Sequence, residues 1–154
     1  MLYSGVEIKR ADLLQKLLDT TQTMIFWKDT ERRFVGVNQA FLDYYGFAGQ
    51  EELIGKTDEE MGWHSNPDPF ENDEWQILRQ GISTHMVHGK CVARGVERDI
   101  LASKKPLYAN GEIIGLVGSF IDITRQVRQK NEIARLNRKL DGIPGGIASY
   151  NRRY

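Results

Sequence analysis

SKKPLYANGEIIGLVGSFIDITR, residues 103–125, is the stretch that decides the fold of this chain. Asn110 and Gly111 at its centre are typical of a two-residue type I′ turn, because both central residues of that turn need φ > 0. The flanks 100–107 and 113–123 are apolar enough to form strands. The stretch therefore predicts a β-hairpin whose second strand leads into a charged helix, with an exposed loop as the alternative.

The size and composition of the chain favour one soluble domain. It has 154 residues, of which 40% are hydrophobic and 27% are charged, and its net charge is zero. These values exclude an intrinsically disordered protein. No apolar run approaches the roughly 20 residues of a membrane span, and the N-terminus lacks a signal pattern. We therefore expect a cytoplasmic protein without a membrane span, in which the single Cys91 has no internal disulfide partner.

Local signals upstream of the hairpin predict further elements. Ser4 and Glu7 have the spacing of a capping box, which predicts a helix from there to about Thr20. The segments MIFWKD and RRFVGVN predict a first hairpin. Asn38 then caps the short helix QAFLDYY, which Gly46 ends. A helix follows over 69–80, and strands are expected over 84–92 and 96–107.

Three segments resemble PAS domains, the small sensor modules of bacterial signalling proteins. They are FWKDTERRFVGVNQAFLDYYGF at 26–47, ELIGK at 52–56 and the closing hairpin with its DIT ending at 122–124. The resemblance implies an α+β fold with a five-stranded antiparallel sheet, short crossing helices on one face, and flanking N-terminal and C-terminal amphipathic helices. It divides the chain into an N-terminal helix at 1–22, a PAS domain at 23–124, a signalling helix at 125–141, and a poorly ordered linker or domain start at 142–154.

The C-terminal segment predicts a dimer. Ile133, Leu136, Leu140 and Ile143 follow the 3-4-3 spacing of a coiled-coil seam, so we expect a parallel homodimer, with a monomer as the alternative. Residues 125–154 carry a charge of +6 and the rest carries −6. A basic tail can contact nucleic acid, but no aromatic residues are interleaved with the basic ones, so a solvated helix without nucleic acid contact is the favoured interpretation.

The cofactors that PAS domains bind each demand a particular residue. The resemblance places a haem-ligating histidine on the helix over 69–80, but the histidines here are His64, His85 and His88. It places the reactive cysteine of photochemical flavin sensors in an early helix, whereas Cys91 falls in a strand. Haem and photoactive flavin are therefore not expected, and the cofactor is unknown. The sequence also lacks a metal-binding pattern and a nucleophile–base–acid set, which predicts that the chain is not an enzyme.

The resemblance also predicts the pocket and the route of the signal. We expect the last strand to alternate, so that Ile114, Leu116 and Phe120 face the cavity between sheet and helices. The same residues could simply fill the core. Asp122 and Thr124 are predicted to couple the strand end to the exit helix. The full set of predicted ligand-pocket residues is Phe26, Tyr45, Trp63, Met86, His88, Arg98, Leu116 and Phe120.

These observations predict a PAS sensory and dimerisation module of a bacterial signal-transduction protein. A small molecule in the cavity would relay a change to a downstream output domain, by family analogy a diguanylate cyclase and less often a histidine kinase. The alternative is a ligand-free scaffold that dimerises or docks a partner protein. The sequence does not identify the ligand, the output domain, the dimer geometry or the signal.

Overall fold

A computed structural model describes residues 2–3 and 5–143 of the chain. It has the predicted α+β architecture, in which seven strands and five α-helices follow one another along the chain. The strands are β1 (Leu2–Tyr3), β2 (Val6–Glu7), β3 (Met24–Asp29), β4 (Phe34–Val37), β5 (Thr84–Ala93), β6 (Val96–Ala109) and β7 (Glu112–Asp122). The helices are α1 (Arg10–Leu18), α2 (Gln39–Tyr45), α3 (Asp58–Met61), α4 (Asp68–Gln80) and α5 (Thr124–Asp141), with a short 3-10 helix at Gln50–Glu52.

Strands β3 to β7 form the five-stranded sheet in the order β4-β3-β7-β6-β5, and every neighbouring pair is antiparallel. The last strand therefore lies at the centre. Asn110 and Gly111 join β6 to β7 with φ values of 51° and 79°, which confirms the predicted turn. Both residues have the positive φ that a type I′ turn requires.

Helices α2 and α4 pack on one face of the sheet and enclose the core. Asn38 caps α2 by accepting a hydrogen bond from the backbone N–H of Phe41, and Gly46 ends this helix with φ 82°. Both features were predicted. Helix α4 begins at Asp68, one residue earlier than predicted, and ends at Gln80, with Gly81 as its C-cap. Side chains from the sheet and helices meet in one buried cluster: Met24, Phe26, Phe34, Val37, Phe41, Leu42, Leu53, Trp63, Phe70, Ile77, Cys91, Ile100, Ala102, Leu116 and Phe120.

The prediction of a helix from the Ser4–Glu7 capping box is wrong. Strands β1 and β2 occupy this region as a two-stranded sheet, and Gly5 between them has φ 79°, which an α-helix does not allow. The amphipathic helix α1 begins only at Arg10 and ends at Leu18. Ser4 itself lies outside the described residues.

Register shifts interrupt the strand pairing at three places, and two of them, both β-bulges, bear on residues predicted to face the cavity. Leu107 pairs with Gly115 and Tyr108 pairs with Ile113, which leaves Ile114 as an extra residue on β7. A bulge changes which side of the strand the following side chains face. Ile114 is therefore 53% exposed rather than facing the cavity, which corrects the prediction for that residue. The second bulge lies on β5, between Thr84 and Val87.

Among the described residues, the first compact unit ends at Asp122, and helix α5 belongs to a second unit that begins at Ile123. On this helix Ile133 and Leu136 are 60% and 45% exposed. Ile143 of the predicted seam lies beyond the end of the helix at Asp141. The prediction of a poorly ordered linker or domain start at 142–154 concerns mainly residues 144–154, which lie outside the described residues.

Candidate functional site

An interior cavity lies between the sheet and the helices that cross it. Its free space is about 30 Å³, which is room for one or two water molecules. Seven aromatic rings form half of its wall, and four charged side chains, His64, Ile100 and Ala102 form the remainder. The lining residues are Phe26, Lys28, Phe34, Phe41, Tyr45, Asp58, Trp63, His64, Phe70, Glu74, Ile100, Ala102, Lys104 and Phe120.

The aromatic wall is held together by ring contacts. Trp63 stacks on Tyr45 with ring centroids 4.2 Å apart, and it meets Phe34 edge-on at 5.5 Å. Phe41 meets Phe120 edge-on at 5.8 Å. Phe41 and Tyr45 lie four residues apart on α2, so both project from the same face of this helix. Because the rings contact each other, movement of one changes the packing of the next.

Five charged side chains from distant parts of the chain meet at one side of the cavity, and we name them the buried ionic cluster: Lys28, Arg32, Asp58, Glu74 and Lys104. Lys28 Nζ donates to Asp58 and to Glu74 Oε1, the second at 2.7 Å. Lys104 Nζ donates to Glu74 Oε2 at 2.7 Å, and Arg32 Nε donates to Glu74 Oε1 at 3.2 Å. Each of the five residues is at most 6% exposed.

Attraction within the cluster favours the charged forms of Glu74 and Lys28 despite their burial. Burial alone would raise the pKa of Glu74, but Lys28, Lys104 and Arg32 lower it well below its usual range. Burial alone would lower the pKa of Lys28, but Asp58 and Glu74 raise it above its usual value. Glu74 and Lys28 are therefore paired ions at neutral pH. Such pairs are costly to break, because removing one partner leaves the other charge buried and uncompensated.

The sequence interpretation missed the ionic cluster, although strand and helix periodicity contained the signal. Lys28 follows Met24 and Phe26 at the period of two on β3, and Lys104 follows Ile100 and Ala102 on β6. Glu74 follows Phe70 at the helical spacing of four on α4. Each charge thus falls on an apolar stripe that faces the core. A charged residue on such a stripe predicts a buried partner.

The eight predicted pocket residues fall into three groups. Phe26, Tyr45, Trp63 and Phe120 line the cavity. Leu116 lies in the hydrophobic core and is fully buried, but it does not line the cavity.

The other three predicted pocket residues lie outside the cavity, which corrects their assignment. Met86 lies in the β5 bulge with φ 50° and is 46% exposed. His88 faces the opposite side of the sheet from its neighbour Gly89 and bonds Asp99 through Nε2 at 2.8 Å. Arg98 lies on the core-facing side of β6 but at the end of the strand, where it pairs with Asp122.

A second polar group, which we name the strand-end triad, consists of Tyr44, Arg98 and Asp122. Tyr44 Oη and Arg98 Nε both donate to Asp122 Oδ2 at 2.7 Å. Burial and the hydrogen bond to Asp122 raise the pKa of Tyr44 far above its usual value, so it stays a neutral donor. Asp122 ends β7, and Thr124, the other residue predicted to couple strand and helix, begins α5.

Ring contacts connect the triad to the cavity wall. Tyr44 meets Tyr45 edge-on with centroids 5.1 Å apart, and it meets Phe120 at 5.4 Å. Tyr45 in turn stacks on Trp63 inside the cavity. A continuous path of packed groups therefore runs from the cavity through Tyr44 to the carboxylate of Asp122.

The sheet order, the crossing helices and the interior cavity agree with a comparison against protein-family models. The model described as the PAS fold matches residues 18–128. The chain belongs to the PAS fold family. A comparison with curated proteins found no relative of this PAS domain.

Solved structures with the same fold include two of VqmA. One is a VqmA dimer from Vibrio cholerae in the absence of target DNA, with 22% identity, a TM-score of 0.65, and coverage of 77% of this chain and 53% of that chain. The other is VqmA bound to DPO, with 22% identity, a TM-score of 0.62, and coverage of 73% and 57%. This PAS domain thus matches only about half the length of these VqmA chains.

The PAS domain of BvgS from Bordetella pertussis is a similar structure of matching length. It is 23% identical, with a TM-score of 0.53, and the alignment covers 84% of this chain and 99% of that chain. At these identities the likenesses show the fold. Function must be argued from the residues of this PAS domain.

Three further observations concern metal binding, the reactivity of Cys91 and membrane-spanning helices. Within residues 2–3 and 5–143, no three His, Cys, Asp or Glu residues are grouped as a metal site. Cys91 is buried beside Tyr44, and burial raises the pKa of its thiol. A protonated thiol is a poor nucleophile. No helix among the described residues is both long and apolar enough to span a bilayer.

Proposed function

We propose that this PAS domain is the sensory and dimerisation module of a bacterial signal-transduction protein, and that it binds a small molecule in its interior cavity. The observation that supports this best is the combination of an aromatic wall with the buried ionic cluster. Ligand sites are typically concave and mostly apolar, with a few well-placed polar groups that fix orientation. The VqmA structure bound to DPO is a further support, since it is a similar fold with a small ligand.

The relay would run along the ring path to the strand-end triad. A ligand that displaces Trp63 or Tyr45 would move Tyr44 and change its hydrogen bond to Asp122. Thr124 begins α5 two residues later, so the start of this helix would respond. The ligand must prefer one of the two arrangements, because equal affinity for both would produce no signal.

Dimerisation and output complete the proposal. The exposed Ile133 and Leu136 on α5 support a parallel homodimer through this helix, since apolar residues at coiled-coil spacing bury against a second copy. A diguanylate cyclase is the proposed output domain, and a histidine kinase is the less favoured one.

Because VqmA has target DNA, the lack of nucleic acid contact by this chain stays a prediction. The absence of catalytic activity and the cytoplasmic location also stay predictions.

The small free volume of the cavity favours a second candidate function. At about 30 Å³, the cavity is filled mainly by the protein's own side chains. Such a filled core is what a ligand-free dimerisation or docking scaffold would have. The two candidates differ in whether a molecule occupies the cavity in the protein as purified from cells.

Native mass spectrometry of freshly purified protein, compared with the same sample after denaturation, distinguishes them. A dimer that carries a discrete mass lost on denaturation is the expected result and would identify the size of the ligand. A dimer of bare chains would favour the scaffold. A monomer would contradict dimerisation through α5.

The relay has its own test in a protein that joins this chain to its output domain. Replacing Asp122 and Thr124 together by alanine should leave the fold intact and remove the response of the output to ligand. The matched control replaces Glu112, an exposed residue at the start of β7, by alanine. An unchanged response in the double variant would contradict the relay while leaving ligand binding untouched.

A further inference from the structure

The charges around the cavity define the chemical class of its ligand, an inference that rests on the proposed sensory function. We propose that the ligand is uncharged overall, contains a planar ring, and carries both a hydrogen-bond donor and a hydrogen-bond acceptor. Four observations support this: the balance of the lining charges, the neutrality of the other titratable groups, the aromatic wall, and the position of Phe70.

The charged residues that line the cavity balance each other. Lys28 and Lys104 supply two positive charges, and Asp58 and Glu74 supply two negative charges. All four are buried and bonded within the buried ionic cluster. A charged ligand would be an additional buried ion without a counter-ion, and the desolvation penalty of such an ion is large.

The remaining groups do not upset this balance. Arg32 of the cluster does not line the cavity, and its Nη1 donates to Glu59 Oε1 at 2.9 Å. Burial lowers the pKa of His64, so its imidazole is neutral at pH 7. Burial also raises the pKa of Tyr45, so its phenol is neutral. The cavity therefore presents a neutral set of groups to a ligand.

The same charges offer both kinds of hydrogen bond. An ammonium carries three N–H donors, and among the described residues Lys104 Nζ uses one of them on Glu74. Carboxylate oxygens each accept more than one hydrogen bond, so Asp58 and Glu74 can accept from a ligand as well. The aromatic wall around Trp63 and Phe41 favours a ring that can meet its neighbours face-on or edge-on.

Phe70 provides the room that such a ligand needs. Its ring lines the interior cavity and also an outer cleft of about 210 Å³ between α4 and β5. The ring lies over Gly89, where an added Cβ would be only 2.1 Å from Phe70 Cζ. Rotation of this one side chain would open the interior cavity toward the cleft, whose lining adds one acidic and one basic residue, Asp73 and Lys90, and so keeps the charges balanced.

Three probes of equal shape test the inference: benzamide, which is neutral, benzoate, which is an anion, and benzamidine, which is a cation at about pH 7. Each is titrated into the uniformly ¹⁵N-labelled chain. The signal of the Trp63 indole N–H reports binding, because this group donates to Asp58 at 2.8 Å inside the cavity. We expect benzamide to bind at least about tenfold more tightly than either ion.

The outcomes separate this inference from the proposed function. Tightest binding of benzoate or benzamidine would overturn the neutral ligand and leave a sensory cavity in place. Failure of all three probes to shift the Trp63 signal would overturn the single-ring ligand, whereas the proposed function fails only if native mass spectrometry finds no bound mass.

A variant of the lining charge gives a sharper test. Lys104→Met removes one cation at little change in side-chain length, so benzamidine should become the tightest probe by about tenfold. The matched control is Lys105→Met, because Lys105 is adjacent and exposed. It should leave all three affinities within about twofold. An unchanged order of probes in Lys104→Met would contradict the role of charge balance.

Should Lys104→Met fail to fold, Glu59→Gln tests the same point from outside the cavity. The Glu59 side chain is 34% exposed, so its loss is tolerated more easily. It leaves Arg32 with less compensation and the cluster more positive. The preference should then move toward benzoate, and a move toward benzamidine would contradict the inference.

Discussion

The buried ionic cluster and the strand-end triad are both built on charged hydrogen bonds, but they differ in exposure. Strand β6 contributes to each, with Lys104 in the cluster and Arg98 in the triad. The Lys104 side chain is 6% exposed, whereas the Arg98 side chain is 34% exposed. Charge interactions are stronger where water is excluded. The ion pairs of the cluster are therefore expected to be stronger than the ion pair of the triad.

The largest effect should come from breaking the cluster. Glu74→Gln removes the carboxylate shared by Lys28, Lys104 and Arg32, and we expect it to lower the free energy of unfolding by about 3–5 kcal/mol. Urea denaturation followed by circular dichroism measures this change. The control is Glu97→Gln, which breaks an exposed pair with Lys90 and should not shift the urea midpoint. A small loss in Glu74→Gln would mean that the cluster is not tightly coupled.

The next largest effect should be a loss of stability in acid, through the titration of Glu74 in the buried ionic cluster. The folded pKa of Glu74 lies below its unfolded value, so its contribution to stability is complete above about pH 4.5 and is lost as pH falls toward the folded pKa. Urea midpoints of the unaltered chain should therefore fall below about pH 4.5. In Glu74→Gln this fall should be smaller, because one titrating group is gone. Parallel curves for the two proteins would exclude Glu74 as a source of the pH dependence.

Tyr44→Phe removes one hydrogen bond of the triad and keeps the ring. We expect a loss of about 1 kcal/mol in unfolding free energy, because the bond goes to a carboxylate but is only partly buried. The same urea measurement gives this value, and a carboxyl-detected NMR spectrum should show a shift of the Asp122 signal. A loss as large as that of Glu74→Gln would mean that the triad is as rigid as the cluster.

The smallest effect should come from Arg98→Gln. Its pair with Asp122 is more than a third open to water on one side, so we expect a loss of at most about 1 kcal/mol. The difference from the unaltered chain should shrink when NaCl rises from about 0.05 M to about 1 M. A salt-independent difference would indicate that the guanidinium acts through packing.

Local sequence signals predicted the fold well where one or two residues determine the backbone. Asn110-Gly111 located the closing turn, and Asn38 with Gly46 located both ends of α2. The same signals did not predict the bulges at Met86 and Ile114. A bulge depends on the register between neighbouring strands, which local sequence does not determine. Those bulges moved two residues that were predicted to face the cavity to exposed positions.

The candidate site was predictable only in part, for a related reason. The aromatic residues Phe26, Tyr45, Trp63 and Phe120 lie on recognisable PAS elements, and all four line the cavity. The cluster unites residues 28, 32, 58, 74 and 104, whose proximity follows from the three-dimensional fold. Periodicity marks Lys28, Glu74 and Lys104 as facing inward, but it does not mark Arg32 or Asp58 and does not indicate which charges become partners.

The central position of β7 has a consequence for how the sheet is completed during synthesis. Strand β3 pairs with β4 and β5 pairs with β6, and β7 alone joins these two hairpins. A growing chain that ends before Glu112 therefore contains two separate hairpins with no ladder between them. The long-range pairing of β3 with β7 must wait for the last strand, and contacts of this kind slow folding. The order of translation thus makes the strand next to the exit helix the final part to enter the sheet.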